Sequence, residues 1–181
     1  MKSFRADYVF PVCADPIKNG IVTVDDAGKI VSVSNSAADS KNIPIEDLKG
    51  VICPGFVNAH CHIELSHLKD KIKPGGGLIN FIRDIQLLRG GKDDEIAAAA
   101  GKADREMYDN GIVAVGDICN TNISIPVKTA SKLYYHSFVE TFSFQPDKAE
   151  EAFEKAIALL NEFKPKPSSV TPHAPYSVSK E

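Results

Sequence analysis

Short runs of β-branched and aromatic residues alternate with turn-forming residues in the first part of the chain. The runs cover residues 8–10, 20–24 and 29–33, and the turn sequence Asp-Asp-Ala-Gly separates the last two. Apolar runs of this length, bounded by glycine and aspartate, are typical of strands joined by hairpins. The pattern therefore predicts a small antiparallel sheet within a first domain, residues 1–53.

From residue 51 onward, apolar runs alternate with segments whose apolar residues recur at helical spacing. The pattern predicts strands over residues 51–60, 112–117, 132–140 and 169–172. It predicts helices over residues 78–89, 94–109 and 148–163, with Asp93 as the N-cap of the second helix and Gly111 just past its end. Strands that alternate with helices are typical of βα units and a parallel sheet, so an α/β fold is expected.

Four predicted βα units are half the number in a closed eight-stranded barrel. Such a barrel needs about 250 residues, and residues 54–181 supply about half of that. This second domain is therefore expected to hold the first four βα units of a barrel. Half a barrel leaves strand edges unpaired and an apolar face uncovered, so it is a poor stable monomer.

The composition is that of an ordinary globular protein, with 43% hydrophobic residues and a net charge of −3 from 21 basic and 24 acidic residues. No basic run is present to bind nucleic acid or an anionic membrane surface. No apolar stretch approaches the roughly 18 residues of a membrane helix, and the charged N-terminus does not match a signal peptide. A cytoplasmic protein is expected. Its four cysteines, without a CxxC pair, are expected to stay reduced.

The segment His60-Cys61-His62 is the first candidate for chemistry, because it ends a predicted strand. Residues two apart on a strand share a face, so both imidazoles can reach one metal ion while Cys61 points away. Imidazole suits zinc, iron or nickel. The spacing by itself fits a surface or packing pair equally well.

The surrounding sequence resembles the metal-dependent amidohydrolases. Residues 54–62, Pro-Gly-Phe-Val-Asn-Ala-His-Cys-His, are similar to the PGxxNxHxH segment of the deaminase and chlorohydrolase branch. Residues 111–117 resemble the second barrel strand of that branch, and residues 171–179 resemble its HAPYS segment at the end of the fourth strand. A narrower similarity, through His-Ile-Glu-Leu-Ser at residues 62–66, is to the aminodeoxyfutalosine deaminases.

The resemblance implies a (β/α)8 TIM barrel flanked by a small β-sandwich, of which residues 1–53 would form a part. It implies one divalent metal ion, zinc or iron, bound by His60, His62, a third histidine and an aspartate. Such a metal acidifies water for attack on a ring carbon bearing an amine, while a glutamate moves protons. A small aminated heterocycle would be the substrate, and the full-length protein is expected to form a homo-oligomer.

Three further residues are candidates for substrate binding. His173 corresponds to a histidine that faces substrate in this branch, and the alternative is a histidine that caps its strand through a backbone hydrogen bond. Glu64 shares the face of His60 and His62 if the extended conformation persists, and the alternative is a solvated or helix-capping carboxylate. Glu140 ends the third strand, where barrel chemistry gathers.

Other polar residues have simpler explanations. Arg83 and Arg89 fit either an acidic substrate group or a solvated helix face. His136 fits core packing, Asp117 a hydrogen-bonding role, and His67 a position in a loop.

The remaining metal ligands and the acid-base residues of the family would follow the fourth strand, beyond Glu181. We therefore expect the chain to be the N-terminal half of a longer deaminase. One alternative is a non-catalytic module that assembles through its exposed sheet edge. Another is a hydrolase of the same family that releases chloride or opens a ring amide.

Overall fold

A computed structural model describes residues 1–37 and 43–180 of the chain. The chain divides into two compact units, Met1–Gly55 and Phe56–Glu181. Glu181 itself lies outside the described residues. Each unit has its own sheets.

The first unit contains seven strands among its described residues. They are β1 (Lys2–Arg5), β2 (Tyr8–Val9), β3 (Ile17–Lys18), β4 (Ile21–Val24), β5 (Ile30–Ser34), β6 (Ile45–Asp47) and β7 (Val51–Ile52). One sheet has the order β5-β4-β1-β6 and the other has the order β3-β2-β7. The hairpin between β4 and β5 is confirmed, because Asp25 Oδ1 accepts hydrogen bonds from the N–H groups of Ala27 and Lys29.

The single antiparallel sheet expected for this region is a wrong prediction. There are two sheets, and each contains a parallel pair, β1 with β6 and β2 with β7. The predicted strand over residues 51–60 is also two strands, because Pro54 and Gly55 interrupt it. Proline cannot donate to a sheet ladder, so the chain leaves one sheet before this dipeptide and enters another after it.

The second unit alternates strands and helices as the pattern predicts. Its strands are β8 (Phe56–Cys61), β9 (Ile112–Cys119), β10 (Tyr134–Thr141) and β11 (Ser168–Pro172). Its α-helices are α1 (Gly77–Leu88), α2 (Asp93–Asp109), α3 (Ile125–Ala130) and α4 (Ala149–Phe163), with short 3-10 helices at Ile63–Leu68 and Pro146–Lys148. The four strands are all parallel and lie in the order β8-β9-β10-β11.

The ends of α2 differ in one respect from the prediction. Asp93 is the first helical residue and not the N-cap, because Lys92 occupies that position with an extended backbone. Asp93, Asp94 and Glu95 instead fill the first turn, where negative charge stabilises the helix dipole. Gly111 follows the helix with φ +81°, as expected for the residue that reverses the chain after a helix.

The core of this unit lies where the helices cover one face of the sheet. The first cluster of buried side chains joins α2 to β9 and β10 and consists of Ile63, Ala100, Val115, Leu133 and Tyr135. The second joins α4 to the same two strands and consists of Cys119, Val139, Ala156 and Phe163. Alternate residues of each strand face these helices, so the intervening residues, such as His136 and Glu140, face the other side.

The sheet is open among the described residues, because β8 and β11 each pair with one strand only. None of the helices in residues 1–37 and 43–180 is long and apolar enough to cross a membrane.

Candidate metal and substrate site

His60 and His62 lie where β8 ends. The strand ends at Cys61, and His62 immediately precedes the 3-10 helix Ile63–Leu68. The two imidazole rings have centroids 5.2 Å apart and meet edge to face. Cys61 lies on the helix-facing side and packs against the first buried cluster. The two histidines are therefore close neighbours at the carboxyl edge of the parallel sheet.

The ring of His62 has the chemistry of a metal ligand. Its Nδ1 atom is buried and has no hydrogen-bond partner. Burial lowers the pKa of His62 below its usual value, although the nearby carboxylates of Glu140, Asp117 and Glu64 act in the opposite direction. A neutral imidazole with a free ring nitrogen is the form that binds a divalent metal ion. The two histidines therefore fit such an ion.

Two histidines do not complete a metal site. Within the two ranges that the structure describes, no three histidine, cysteine, aspartate or glutamate side chains are grouped closely enough to hold a metal ion. A catalytic site of this kind has at least three protein ligands and a water molecule. His60 and His62 can therefore contribute only part of a ligand set.

His173 and Glu140 form a pair across the ends of β10 and β11. His173 Nδ1 lies 2.6 Å from Glu140 Oε1, and the side chain of Glu140 is only 9% exposed. The imidazole is open to solvent, with Phe142 and Tyr176 at 6.4 and 6.2 Å from its centroid. Its ring therefore bonds a carboxylate, and not the backbone as the capping alternative required. The backbone N–H of His173 separately donates to Thr141 O.

Glu64 was expected to share the face of His60 and His62 if the strand continued to it, but the strand ends before Glu64. It lies in the 3-10 helix, where its side chain is buried. One carboxylate oxygen accepts the N–H of Asn120, and the other accepts the N–H and the hydroxyl of Thr121. The guanidinium of Arg89 lies 3.9 Å away. Glu64 therefore holds the loop after β9, and its predicted contact with substrate stays a prediction.

Asp117 is the most deeply enclosed carboxylate near this edge. It accepts a hydrogen bond of 2.7 Å from the N–H of Ile63, immediately after His62. Its other oxygen lies 2.6 Å from Lys128 Nζ, and both side chains are almost fully buried. The hydrogen-bonding role expected for Asp117 is confirmed, whereas its partner Lys128 was not predicted from the sequence.

The other polar candidates have local partners. His136 Nε2 lies 3.0 Å from Ser169 Oγ, and its ring packs on Phe138. His67 was expected in a loop but lies in the 3-10 helix, where Nδ1 bonds the carbonyl of Glu64. Arg83 pairs with its neighbour Asp84 on the exposed side of α1.

Two cavities flank β10. A cleft of about 450 Å³ lies beside Glu140 and Asn120, at the carboxyl end of β10 and the first turns of α4. A smaller cavity of about 130 Å³ lies near the start of β10 beside Lys128, and none of the candidate site residues lines it. Of these two cavities, the larger cleft is the one that reaches a candidate site residue, Glu140.

Residues 51–181 match the sequence profile of the amidohydrolase family. The chain therefore belongs to the amidohydrolase family. Among curated relatives, it is 30% identical to the adenosine deaminase of Helicobacter pylori over 135 residues, which are 72% of this chain and 32% of that protein. It is 44% identical to the 5'-deoxyadenosine deaminase of Methanococcoides burtonii over 48 residues, 26% of this chain and 11% of that protein.

Solved structures agree with this membership at the level of the fold. The aminofutalosine deaminase of Helicobacter pylori, in complex with methylthio-coformycin, superposes with a TM-score of 0.78 at 23% identity over 99% of this chain and 46% of its own. The guanine deaminase of C. acetobutylicum, with bound guanine, gives a TM-score of 0.76 at 20% identity, covering 98% and 47% of the two chains. The zinc-complexed atrazine chlorohydrolase of Arthrobacter aurescens gives 0.73 at 16% identity, covering 99% and 48%. The chain thus spans about half the length of these structures and less of the curated relatives.

Proposed function

We propose that the chain contributes the first two metal ligands of a metal-dependent hydrolase that removes an amino group from a purine-like heterocycle. The observation that carries the proposal is the adjacent pair His60 and His62, with a buried, unpartnered Nδ1 on His62. When bound there, a divalent metal, zinc or iron, would acidify water at neutral pH. The third histidine, the aspartate and the proton-carrying glutamate would come from outside the described residues.

We assign the remaining parts of the fold in the same way. Residues 54–181 are proposed to be the first four βα units of a TIM barrel, and residues 1–53 part of a flanking β-sandwich. The sequential order of the four parallel strands supports this assignment. It places His60, His62, Glu140 and His173 at the carboxyl ends of strands, where barrel enzymes carry their chemistry.

The substrate would be held by Glu140 and His173. Both lie at the ends of their strands, and the exposed ring of His173 has two aromatic neighbours, Phe142 and Tyr176. An aromatic heterocycle suits such surroundings, because aromatic rings stack and polar ring atoms need directed hydrogen bonds. We expect this small molecule, and no nucleic acid, to be the partner of a cytoplasmic homo-oligomer.

The first experiment tests metal binding and reaction together. The protein is purified from its own cell through a tag fused ahead of Met1, so that any polypeptide continuous or associated with the chain is retained. Native mass spectrometry and metal analysis then give its size and its metal content. We expect close to one divalent metal per chain and ammonia release from adenosine, 5'-deoxyadenosine or guanine.

Two variants identify the ligands in that experiment. His60→Ala and His62→Ala should each reduce bound metal and ammonia release by at least about a hundredfold. His136→Gln is the matched control, because Nε2 of His136 already has Ser169 Oγ as its partner, and this variant should retain both. Full metal content in the His60 and His62 variants would overturn the proposed ligands.

One alternative reaction is supported by the similarity to atrazine chlorohydrolase. A chlorotriazine tested alongside the aminopurines separates the two reactions by their product. Chloride release without ammonia release would replace the deaminase assignment. A metal-free protein that turns over none of these compounds would support the non-catalytic module.

A further inference from the structure

A continuous set of polar contacts joins the ends of all four strands of the second unit. Glu64, just after β8, accepts the N–H of Asn120, just after β9. The side-chain amide of Asn120 donates to Glu140 Oε2 on β10, at 3.1 Å. Glu140 Oε1 then contacts His173, just after β11, at 2.6 Å. Asn120 therefore links Glu64 to Glu140 and His173, the two residues proposed to hold the substrate.

The amide of Asn120 is oriented from several sides. Its Oδ1 accepts from Arg89 Nη2 at 3.4 Å, and its Nδ2 donates both to the carboxylate and to the backbone carbonyl of Glu140. A flipped amide would put Oδ1 against two acceptors of Glu140 and Nδ2 against a guanidinium donor. The NH2 group of Asn120 therefore faces Glu140.

The pairing with Glu140 decides which ring nitrogen of His173 carries hydrogen. An ionised carboxylate only accepts hydrogen bonds, so Nδ1 of His173 must donate to it. In the neutral ring, Nε2 is then an acceptor. Within the described parts of the chain Nε2 has no hydrogen-bond partner, and the side chain is 44% exposed. An acceptor therefore faces the solvent at the end of β11.

We propose that Asn120 is a positioning residue that holds the carboxylate of Glu140 in place, with Oε1 toward His173, and that this carboxylate sets the tautomer of His173. The neutral ring then presents Nε2 as an acceptor for an N–H or O–H group of the substrate. A substrate atom that carries only a lone pair is disfavoured at this position. The substrate part of this inference rests on the proposed function, whereas the tautomer is a property of the protein alone.

Histidine ring nitrogens report the tautomer directly in NMR spectra, because protonated and unprotonated nitrogens have well-separated ¹⁵N shifts. The spectra are recorded at about pH 9, where imidazole rings are neutral. The signals of His173 are assigned by their loss in His173→Gln. The unaltered chain should show hydrogen on Nδ1 of His173.

Glu140→Gln tests whether Asn120 directs this arrangement. The NH2 group of Asn120 would hold the oxygen of the introduced carboxamide, so the new NH2 group would face His173. The ring should then switch, with hydrogen on Nε2. Adding Asn120→Ala frees the introduced carboxamide to rotate. In this double variant, a substantial fraction of His173 should again carry hydrogen on Nδ1.

Asn122 lies two residues beyond Asn120 in the same loop and supplies the matched control. Its side-chain amide donates to the exposed Glu162 and not to Glu140. Asn122→Ala combined with Glu140→Gln should give the same Nε2–H form as Glu140→Gln alone. Far-ultraviolet circular dichroism identifies any variant that fails to fold. Hydrogen on Nε2 in the unaltered chain, or one tautomer throughout the series, would overturn the proposal.

Activity separates this inference from the proposed function. In an active protein, Glu140→Gln should raise the KM for the aminopurine by about tenfold. The Nε2–H group of His173 would then face an N–H or O–H group of the substrate, and two donors form no hydrogen bond with each other. An inactive protein that shows the expected tautomer series would refute the deaminase assignment and leave the role of Asn120 standing. An active protein whose His173 tautomer is the same in every variant would support the deaminase assignment and refute the role of Asn120.

Discussion

Cys61 and Cys119 differ from the other two cysteines in their surroundings. Burial raises the pKa of each of these thiols to about 12, and the nearby carboxylate of Asp117 acts in the same direction. Cys13 and Cys53 are exposed. Because the thiolate is the reactive form, a thiol with a pKa near 12 is about one part in ten thousand ionised at pH 8.

Alkylation should therefore distinguish two pairs of thiols. At pH 8 we expect iodoacetamide to modify Cys13 and Cys53 rapidly and to leave Cys61 and Cys119 unmodified until the chain is denatured. Raising the pH toward 11 should increase the modification of the protected pair. Peptide mass spectrometry identifies the sites, and equal rates for all four thiols in the folded chain would contradict the structure.

Lys128 and Asp117 form a buried ion pair with every polar atom occupied. Lys128 Nζ also lies 2.9 Å from both Cys119 Sγ and Ser137 Oγ. The ring of Phe163 lies 4.9 Å from the same ammonium group. Removing the lysine alone would leave the carboxylate buried without its counter-charge, which costs far more than losing an exposed pair.

Lys128→Met should lower the free energy of unfolding by about 3–5 kcal/mol, as measured by urea denaturation. Lys155→Met is the control, because Lys155 pairs with Glu151 on the solvent side of α4, and it should leave the stability essentially unchanged. An equal effect of the two substitutions would show that the buried pair is not formed in solution.

The sequence predicted where the candidate residues lie along the strands better than it predicted their partners. The position of His60 and His62 at a strand end follows from local properties, whereas their assignment as metal ligands came from the resemblance of residues 54–62 and stays a prediction. The contact between Glu140 and His173 depends on the register of β10 against β11, which no local pattern contains. Asn120 and Thr121 were missed for the same reason, since their partner Glu64 lies more than fifty residues away.

Among the elements, β9 shows how closely two strands must approach. A Cβ atom on Gly116 would lie 2.8 Å from the carbonyl oxygen of Ala59 and 3.2 Å from the ring of Phe138. The backbone of β8 cannot yield as a flexible side chain can. Glycine is therefore required by packing in the middle of a strand that is otherwise rich in β-branched residues.

Gly116→Ala should destabilise the protein by about 1–3 kcal/mol, because the added methyl group forces β8 and β9 apart. Gly90→Ala is the control, since a Cβ atom there would meet nothing within 4 Å. Urea midpoints of the two variants give the comparison. A neutral Gly116 variant would mean that β8 is not held against β9 as described.

Helix α1 differs from α2 and α4 because none of its residues is buried. Its apolar side chains, including Leu78, Ile79 and Leu87, are largely exposed. A helix without tertiary packing has little to stabilise it. Its backbone amides should exchange with deuterium at least about tenfold faster than those of α2, as measured by exchange mass spectrometry. Equal protection would show that α1 is covered in solution.

Hydrophobic periodicity predicted α1, α2, α4 and the three strands β9, β10 and β11 to within a few residues. The elements that it missed are short. Helix α3 has six residues, too few for a periodic signal, and β7 is two residues whose pairing with β2 is decided by tertiary structure. The 3-10 helix after His62 was missed because its register depends on the hydrogen bond from Ile63 to Asp117.

At the scale of the whole molecule, the uncovered sheet edges have a measurable consequence. Val57 on the edge strand β8 is 64% exposed, beside Phe56 at 61%. Exposed apolar edges pair with other chains. We therefore expect the 181-residue chain to self-associate as its concentration rises in sedimentation velocity experiments.

Val57→Lys should weaken that association, because a charge on an edge strand opposes pairing. Ala130→Lys, at the exposed end of α3, adds the same charge away from the edge and should leave it unchanged. A chain that stays monomeric at every concentration would contradict the expectation.

The order of strands in the second unit also bears on how the protein is made. Each of β9, β10 and β11 pairs with the strand that precedes it in the chain, so no pairing among these four strands waits for a distant segment. On a ribosome, β9 can join β8 once residue 119 has emerged, and each later βα unit can dock as it leaves the exit tunnel. Translation itself then assembles these four strands in order, from β8 to β11.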